Sequence, residues 1–273
     1  MLTIEEILAG ESKNVEFKEN LPEKSIKYMK SVVAFANGTG GKIIFGIADK
    51  TREVVGFDKE DVFKKMDAIA NAFAILTGNG GLHVATQCGV FKGTTKTVFV
   101  DRREYTGPLW EQIDEAFQFV LRNIHLGANI VGIYRQDIYE IPPDAIRELI
   151  INAMVHRSYL DHGTIQVVIY DNRLEITSPG KLPMGQTMER MKEGYSKIRN
   201  EALAHAFAYM NLIEHWGSGI PRIIDKVKAA GLREPEFIGG EVDLHINIYR
   251  GQVDGTVDLN DTKTAGKPPE NRR

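Results

Sequence analysis

Only one of the 273 residues is a cysteine, Cys88, which excludes an internal disulfide framework and predicts a reducing, cytoplasmic setting. No apolar run approaches the length of a bilayer-crossing helix, so no membrane partner is expected. The opening decapeptide, MLTIEEILAG, lacks a basic start and a long apolar stretch, and no secretory signal is expected there. Cationic excess is missing as well. With a formal net charge of −3, no global positive field points to nucleic acid, and only a local basic patch stays open. The GxxxxGK[ST] phosphate loop is absent, which excludes that type of nucleotide site. The seven histidines show no metal-ligand spacing, and His205, His215 and His245 are expected to be structural. No stretch repeats internally.

What remains is an ordinary core-forming composition, 42% hydrophobic and 26% charged, in a chain long enough for two domains. Its most informative stretch runs from Pro142 to Tyr159. Two prolines and Asp144 make a helix start. Ile146, Leu149, Ile150, Ala153 and Met154 then follow helical period and define one broad apolar face. Glu148, Asn152 and His156 fall in a single stripe, each four residues from the next. A carboxylate and an amide framed by apolar residues need partners, since an unpaired buried polar group costs about 1–3 kcal/mol. Either neighbouring protein groups or a ligand must supply them.

Residues 3–9 read as a short amphipathic helix. Val15 and Phe17 alternate with Glu16 and Lys18, as in a half-buried strand. A helix is expected over 23–37, stopped by Asn37-Gly38, then a strand KIIFGIAD with Asp49 at its end. Val62, Met66, Ile69, Phe73 and Leu76 mark another helix. Two strands are expected within 83–101. Gly107-Pro108 open a helix with Leu109, Ile113, Phe117, Val120 and Ile124 inward. A strand is expected within Ile130–Tyr139. TIQVVIY and RLEIT, joined at Asp171-Asn172, form a hairpin signal. A helix is expected over 201–213, another opened by the glycine pair in IEHWGSGIPRI and running to about Ala230, and a strand over 242–249. Residues 251–273 carry almost nothing apolar and are expected to be disordered.

The order ESKNVEFK, a helix ending FANG, then GGKIIFGIAD resembles the start of the Schlafen AlbA-type domain over about residues 7–75. The domain looks shortened at Leu76–Gly81. That resemblance implies a nucleic-acid module. It also implies, as one alternative, a metal-dependent nuclease using Glu11, Glu16 and Asp49, with Lys18 beside them. The physics is that clustered carboxylates hold a hard divalent ion that activates water.

The second half carries R-E-x-I-x-N-A-x-x-H-R, E-I-x-S-P-G-x-L-P, R-N and I-E-x-W-G-S-G-I in order. Over about residues 85–250 it resembles the GHKL ATPase fold, and within it the helicase-related RecG subfamily of transcriptional regulators. The resemblance implies ATP and Mg²⁺ as cofactors. Glu148 would orient or deprotonate the attacking water, and Asn152 would ligate Mg²⁺. Gly180 would let the backbone pass close to the base. Gly217 and Gly219 would form the phosphate-side loop at a helix start. Lys197 or Arg199 would close over the phosphates as a lid. One departure stands out. Where the GHKL pattern has an aspartate that reads the adenine amino group, this chain has Ser178, a weaker acceptor.

The expected fold class is α+β: a shortened AlbA-type α/β unit over 1–76, then a GHKL-like (Bergerat) α/β sandwich over 83–250. The expected function is an ATP-binding, DNA-binding transcriptional regulator, with weak ATPase activity left open. The nuclease is the alternative reading, and a ligand-free interaction scaffold the third. A homo-oligomer stays open as a partner.

Overall fold

The computed structural model describes residues 9–20, 26–36, 41–48, 50–56, 62–78, 84–131, 133–213 and 218–251. The expected helix over 3–9, Asp49, Gly217 and the tail after 251 therefore lie outside the described residues, the first and last of these all but for one or two end residues.

The fold is α+β. Its framework is a six-stranded sheet in the order β4-β3-β7-β8-β10-β9, with helices packed on it. β3 (Thr86–Lys92) pairs antiparallel with β4 (Val98–Tyr105) and parallel with β7 (Ile165–Ile169). β7 turns back into β8 (Arg173–Pro179), which pairs with β10 (Asp243–Tyr249), and β10 with β9 (Glu236–Gly239). The Asp171-Asn172 turn is as short as the sequence suggests, with Tyr170 N–H bonded to the Arg173 carbonyl at 2.8 Å.

A parallel pair needs a long crossover. Here it contains β4, then α3 (Leu109–Asn123), a small hairpin and α4 (Pro143–His156). α3 and α4 pack on the sheet and on each other. The hairpin corrects the expectation of one strand within 130–139. It has two strands, β5 (Leu126–Val131) and β6 (Tyr134–Tyr139), paired antiparallel in a sheet of their own. Apolar alternation is weak there because Ile130, Ile133 and Tyr134 point to solvent.

The expected face of α3 holds at Leu109, Ile113, Val120 and Ile124, and it extends to one side. Phe119 is buried and Phe117 only partly so, and Gln112 is buried among the apolar residues. Gln112 is satisfied throughout. It accepts from Thr86 Oγ1 at 2.9 Å and donates to the Val84 and Gly107 carbonyls at 3.0 and 2.8 Å. It thus ties the start of β3 to the loop that opens α3.

The first part of the chain supplies β1 (Val15–Lys18) and β2 (Lys42–Phe45), a parallel two-stranded sheet, with α1 (Ile26–Ala36) and α2 (Val62–Thr77). α1 packs against α6 (Glu201–Tyr209) and α2 against α3 and α6. One buried cluster therefore runs from Tyr28 and Met29 through Leu76, Phe119, Ile150 and Phe207 to Ile248. The helix expected over 201–213 stops sooner. Asn211 takes a left-handed φ of 56°, and Leu212 N–H returns to the Phe207 carbonyl at 2.8 Å, closing the helix end. Cys88 is part of the core, and burial pushes its thiol up to about 12, which makes it inert as a nucleophile.

Candidate functional site

α4 is the helix that builds the site. Its buried side, including Ile146, Leu149, Ile150 and Met154, locks it against α3 and the sheet. The stripe Glu148, Asn152 and His156 is left half-buried, on one wall of a cavity of about 220 Å³. Across from it stand Ser178 and Gly180 at the end of β8, Ile246 of β10, and Gly219 at the start of α7 (Gly219–Ala229). The segment after α5 (Met188–Lys192) brings Lys197 and Arg199 to the mouth. Of the expected nucleotide-site residues, all the described ones line this one cavity.

Their partners show what each side chain has left to offer. Asn152 Nδ2 makes only a long contact, 3.5 Å, to Glu148 Oε1. Gly219 packs so close that a Cβ there would collide with the Glu148 carboxylate. A larger residue here would have to push the Glu148 carboxylate aside, and the Gly219 N–H lies in the first turn of α7, where donors lack helical partners. Gly180 has a φ of +108°, and a Cβ on it would stand 2.8 Å from Ser158 Cβ and 3.1 Å from Arg199 Nη1. Glycine is needed here on both conformational and steric grounds.

Ser178 is buried and its hydroxyl donates to the Ala153 carbonyl at 2.8 Å. Its single proton is thus committed to α4, and its remaining capacity in the cavity is as an acceptor. Arg199 donates through Nη2 to the Lys181 carbonyl, but its Nε is buried with no partner among the described residues. An orphaned guanidinium N–H beside a cavity is what an incoming anion would satisfy. Lys197 rests on the Met184 carbonyl.

Two contributors stand beside the expected set: Asn200, which the sequence did not single out, and His156, which it placed on the stripe without a role. Asn200, next to Arg199, donates to the Val155 and Arg157 carbonyls at 2.7 and 2.9 Å. It closes the C-terminal end of α4 and so fixes the segment carrying Lys197 and Arg199 against the helix carrying Glu148 and Asn152. The R-N pair in the sequence was its only signal. His156 is the other. Burial first, and then the Arg199 charge, hold its imidazole below the ordinary 6.5. Because the folded state resists protonation, the unfolded chain binds more protons below that value. Stability is then complete above about pH 6.5 and falls as the pH drops below it. Melting temperatures taken from pH 7.5 to 5.5 should decline in wild type and decline less in His156→Gln. Equal slopes would show that His156 does not carry the effect.

The carboxylates of the first segment are placed differently. Glu11 accepts from Phe17 N–H at 2.8 Å. Glu16 is held by Lys18 and by Ser31 Oγ, the latter at 2.6 Å. Hydrogen bonds from Lys18 and Ser31 and the charges of Lys18 and Lys30 outweigh burial and lower its carboxyl. Among the described residues, no group of three His, Cys, Asp or Glu side chains could hold a metal ion. Asp49 lies outside them. Of the structural histidines, His245 bonds Thr177 Oγ1 at 2.9 Å and faces Asp243 at 2.9 Å. Among the described residues, no helix is long and apolar enough to cross a membrane.

Two stretches of the chain match known families. Residues 11–76 match the family model "Schlafen, AlbA_2". Residues 162–248 match the one described as "Putative ATP-dependent DNA helicase recG C-terminal". The chain therefore carries an AlbA-type segment followed by a RecG C-terminal, ATPase-like segment, the order its motifs suggest. The second match begins after α4, so Glu148 and Asn152 lie ahead of it.

Among individual proteins, 52 residues are 40% identical to the "Uncharacterized ATP-binding protein UU034" of Ureaplasma parvum serovar 3. That stretch spans 19% of this chain and 15% of that relative's length. The crystal structure of the DIP2311 protein from Corynebacterium diphtheriae aligns over 91% of this chain and 79% of that one. The TM-score is 0.59 at 18% identity, a likeness of fold.

Proposed function

We propose that the chain is a nucleotide-binding regulator that takes ATP with Mg²⁺ in the cavity between α4, the end of β8 and α7. The observation that carries this is one hollow lined by Glu148, Asn152, Ser178, Gly180, Arg199 and Gly219, with the Arg199 Nε beside it unpaired among the described residues. The Ureaplasma relative is described as an ATP-binding protein, which supports the choice of nucleotide.

Each residue has a task in this reading. Ser178, with its proton fixed on Ala153, accepts from the exocyclic amino group of adenine. The same oxygen meets the O6 lone pairs of guanine and repels them. Gly180 leaves room for the base, and Gly219 offers its N–H to a phosphate oxygen. Asn152 offers Oδ1 to Mg²⁺, which when bound offsets phosphate charge. Glu148 accepts a proton from water or orients it. Lys197 and Arg199 leave the Met184 and Lys181 carbonyls for the phosphates, closing the site. The division into a 1–76 AlbA-type unit and an 83–250 nucleotide-binding unit belongs to the same proposal. So does DNA binding by the first unit.

Titration calorimetry with ATP·Mg²⁺ tests the central point. Micromolar to sub-millimolar binding, weaker for GTP, is expected. Absence of heat at millimolar ATP would leave the third reading, a scaffold that binds no nucleotide. DNA binding is checked separately by the salt dependence of a duplex gel shift, since phosphate contacts make affinity fall steeply with salt.

A further inference from the structure

Alternation along a strand sends every second side chain to the far face of the sheet. Cys88, Val167, Ile169 and Ile176 join the main core beneath the helices, whereas Phe91, Val168 and Tyr170 form a small apolar cluster of their own. Its rings run in a row toward the edge of the sheet. Arg173 lies 3.8 Å from the centre of the Tyr170 ring and caps that end. Tyr170 stacks on Phe91 at 5.8 Å, and Phe91 meets Phe99 of β4 at 4.1 Å. Phe99, the last ring of the row, is 55% exposed.

Beside that ring lies a cleft of about 530 Å³. Gly89 of β3 stands between Arg102 of β4 and Val168 of β7, and its missing side chain leaves a trough between them. A Cβ there would come within 3.3 Å of Phe91 Cε2 and 3.5 Å of Phe99 Cε1. The Arg102 guanidinium is 6.0 Å from the centre of the Phe99 ring. Two residues back along the strands, about 7 Å away, Gln87 and Gln166 are neighbours on the same face. Gln87 donates through Nε2 to Glu104 at 2.8 Å, and Gln166 accepts through Oε1 from Lys96 at 2.7 Å. Among the described residues, Gln87 Oε1 and Gln166 Nε2 make no hydrogen bond, so the rim keeps an acceptor and a donor on adjacent side chains. Lys96 is also paired with Glu175 at 3.6 Å. The cleft therefore offers shape, ring faces and amides rather than a surplus of charge.

We propose that this cleft binds a nucleobase. The flat ring lies in the trough over Gly89, stacked on Phe99 and flanked by the Arg102 guanidinium, and its polar edge meets the amides of Gln87 and Gln166. Unstacked bases pack on aromatic and guanidinium faces. Paired amide donors and acceptors match a base edge, and a purely apolar ligand would leave them unsatisfied. Bases in a duplex are stacked and paired, so the source is a single strand or a free nucleoside. The proposal does not depend on the nucleotide reading, whose cavity lies on the helix side of the sheet.

The test is titration calorimetry on the full chain without Mg²⁺, with an oligothymidylate of about ten nucleotides and with thymidine. Thymine has no exocyclic amino group to offer Ser178, which disfavours the nucleotide cavity. Wild type should bind the oligothymidylate. Phe99→Ala should weaken binding roughly tenfold, and Phe99→Trp should keep it, because stacking needs a ring face but not this ring. Gly89→Val fills the trough with a residue suited to a strand and should weaken binding as much. Ile238→Ala, an exposed apolar residue of β9, should change nothing. If Gly89→Val does not fold, the two variants of exposed Phe99 still decide the matter.

Heat from thymidine that Phe99→Ala removes marks a site for the nucleoside itself. Heat from the oligothymidylate alone, removed in the same way, marks one for a single strand. No heat from either probe, binding unchanged in Phe99→Ala, or binding lost in Phe99→Trp would overturn the proposal. So would self-association lost in Phe99→Ala with probe binding intact, since the exposed Val98, Phe99 and Val100 would then be a contact between copies. Failure of ATP to bind, with oligothymidylate binding intact, would sink the nucleotide reading and leave this site standing.

Discussion

Asn152→Ala should abolish the rise in melting temperature expected of the wild-type protein on binding ATP·Mg²⁺. A ligand selective for the folded state, at 100 times its Kd, stabilises it by about 2.7 kcal/mol. At about 2–4 °C per kcal/mol for a domain of 150–250 residues, that is a rise of about 5–10 °C. The amide is positioned to lose all of it. Among the described residues, its side-chain hydrogen bond is the 3.5 Å approach to Glu148, so its oxygen is open to a ligand. The same weak commitment predicts that the variant without nucleotide melts close to wild type. Alanine is the better helix former, and the residue is half-buried rather than part of the core. Scanning fluorimetry with and without ATP·Mg²⁺ reads both quantities. A variant that still rises by the wild-type amount would remove Asn152 from the site and take the proposed metal ligand with it.

Arg157→Ala should destabilise the protein by about 2–4 kcal/mol, through lost packing and lost charge-assisted hydrogen bonds. Arg157 is only 2% exposed. Its Nη2 donates to the Asp161 and Gly163 carbonyls at 3.0 and 2.6 Å, and its guanidinium lies 4.9 Å from the centre of the Tyr159 ring. Those bonds hold the loop between α4 and β7 in place. The loop in turn carries Ser158, whose N–H bonds the Pro179 carbonyl at 2.7 Å and whose Cβ crowds Gly180. Losing Arg157 should therefore loosen the Gly180 end of the cavity as well as the fold. Urea denaturation should show a lower midpoint at unchanged slope. A loss under about 1 kcal/mol would mean that the loop is held by its other bonds, and that the burial of this arginine is incidental.

Much of the site was legible because it obeys local rules. The spacing of Glu148, Asn152 and His156 is fixed by the helical repeat, so placing them on one stripe required no tertiary information. The Asp171-Asn172 turn was readable for the same reason, since a two-residue connection between apolar runs leaves the backbone few choices. Other features were not local. The burial of Gln112 depends on two carbonyls and a hydroxyl from other segments. Leu126, Ile130, Tyr134 and Ile138 of the β5–β6 hairpin are exposed, so its apolar residues follow no alternating inward pattern that sequence could report. The early end of α6 turned on Asn211, whose left-handed conformation cost little beside the gain of closing the helix.

Sequence alone determined that Glu148 and Asn152 share a helical face, that glycines stand at 180 and 219, and that an AlbA-type segment precedes an ATPase-like one. Those are properties of spacing and residue type. Tertiary structure alone decided that these positions surround one cavity, that the Ser178 proton is fixed on Ala153, and that Arg199 Nε is buried without a partner among the described residues. It also decided that a second cleft opens over Gly89 on the other face of the sheet. The reason is distance along the chain. Gln87 and Gln166 lie 79 residues apart in sequence and meet only because β3 and β7 pair.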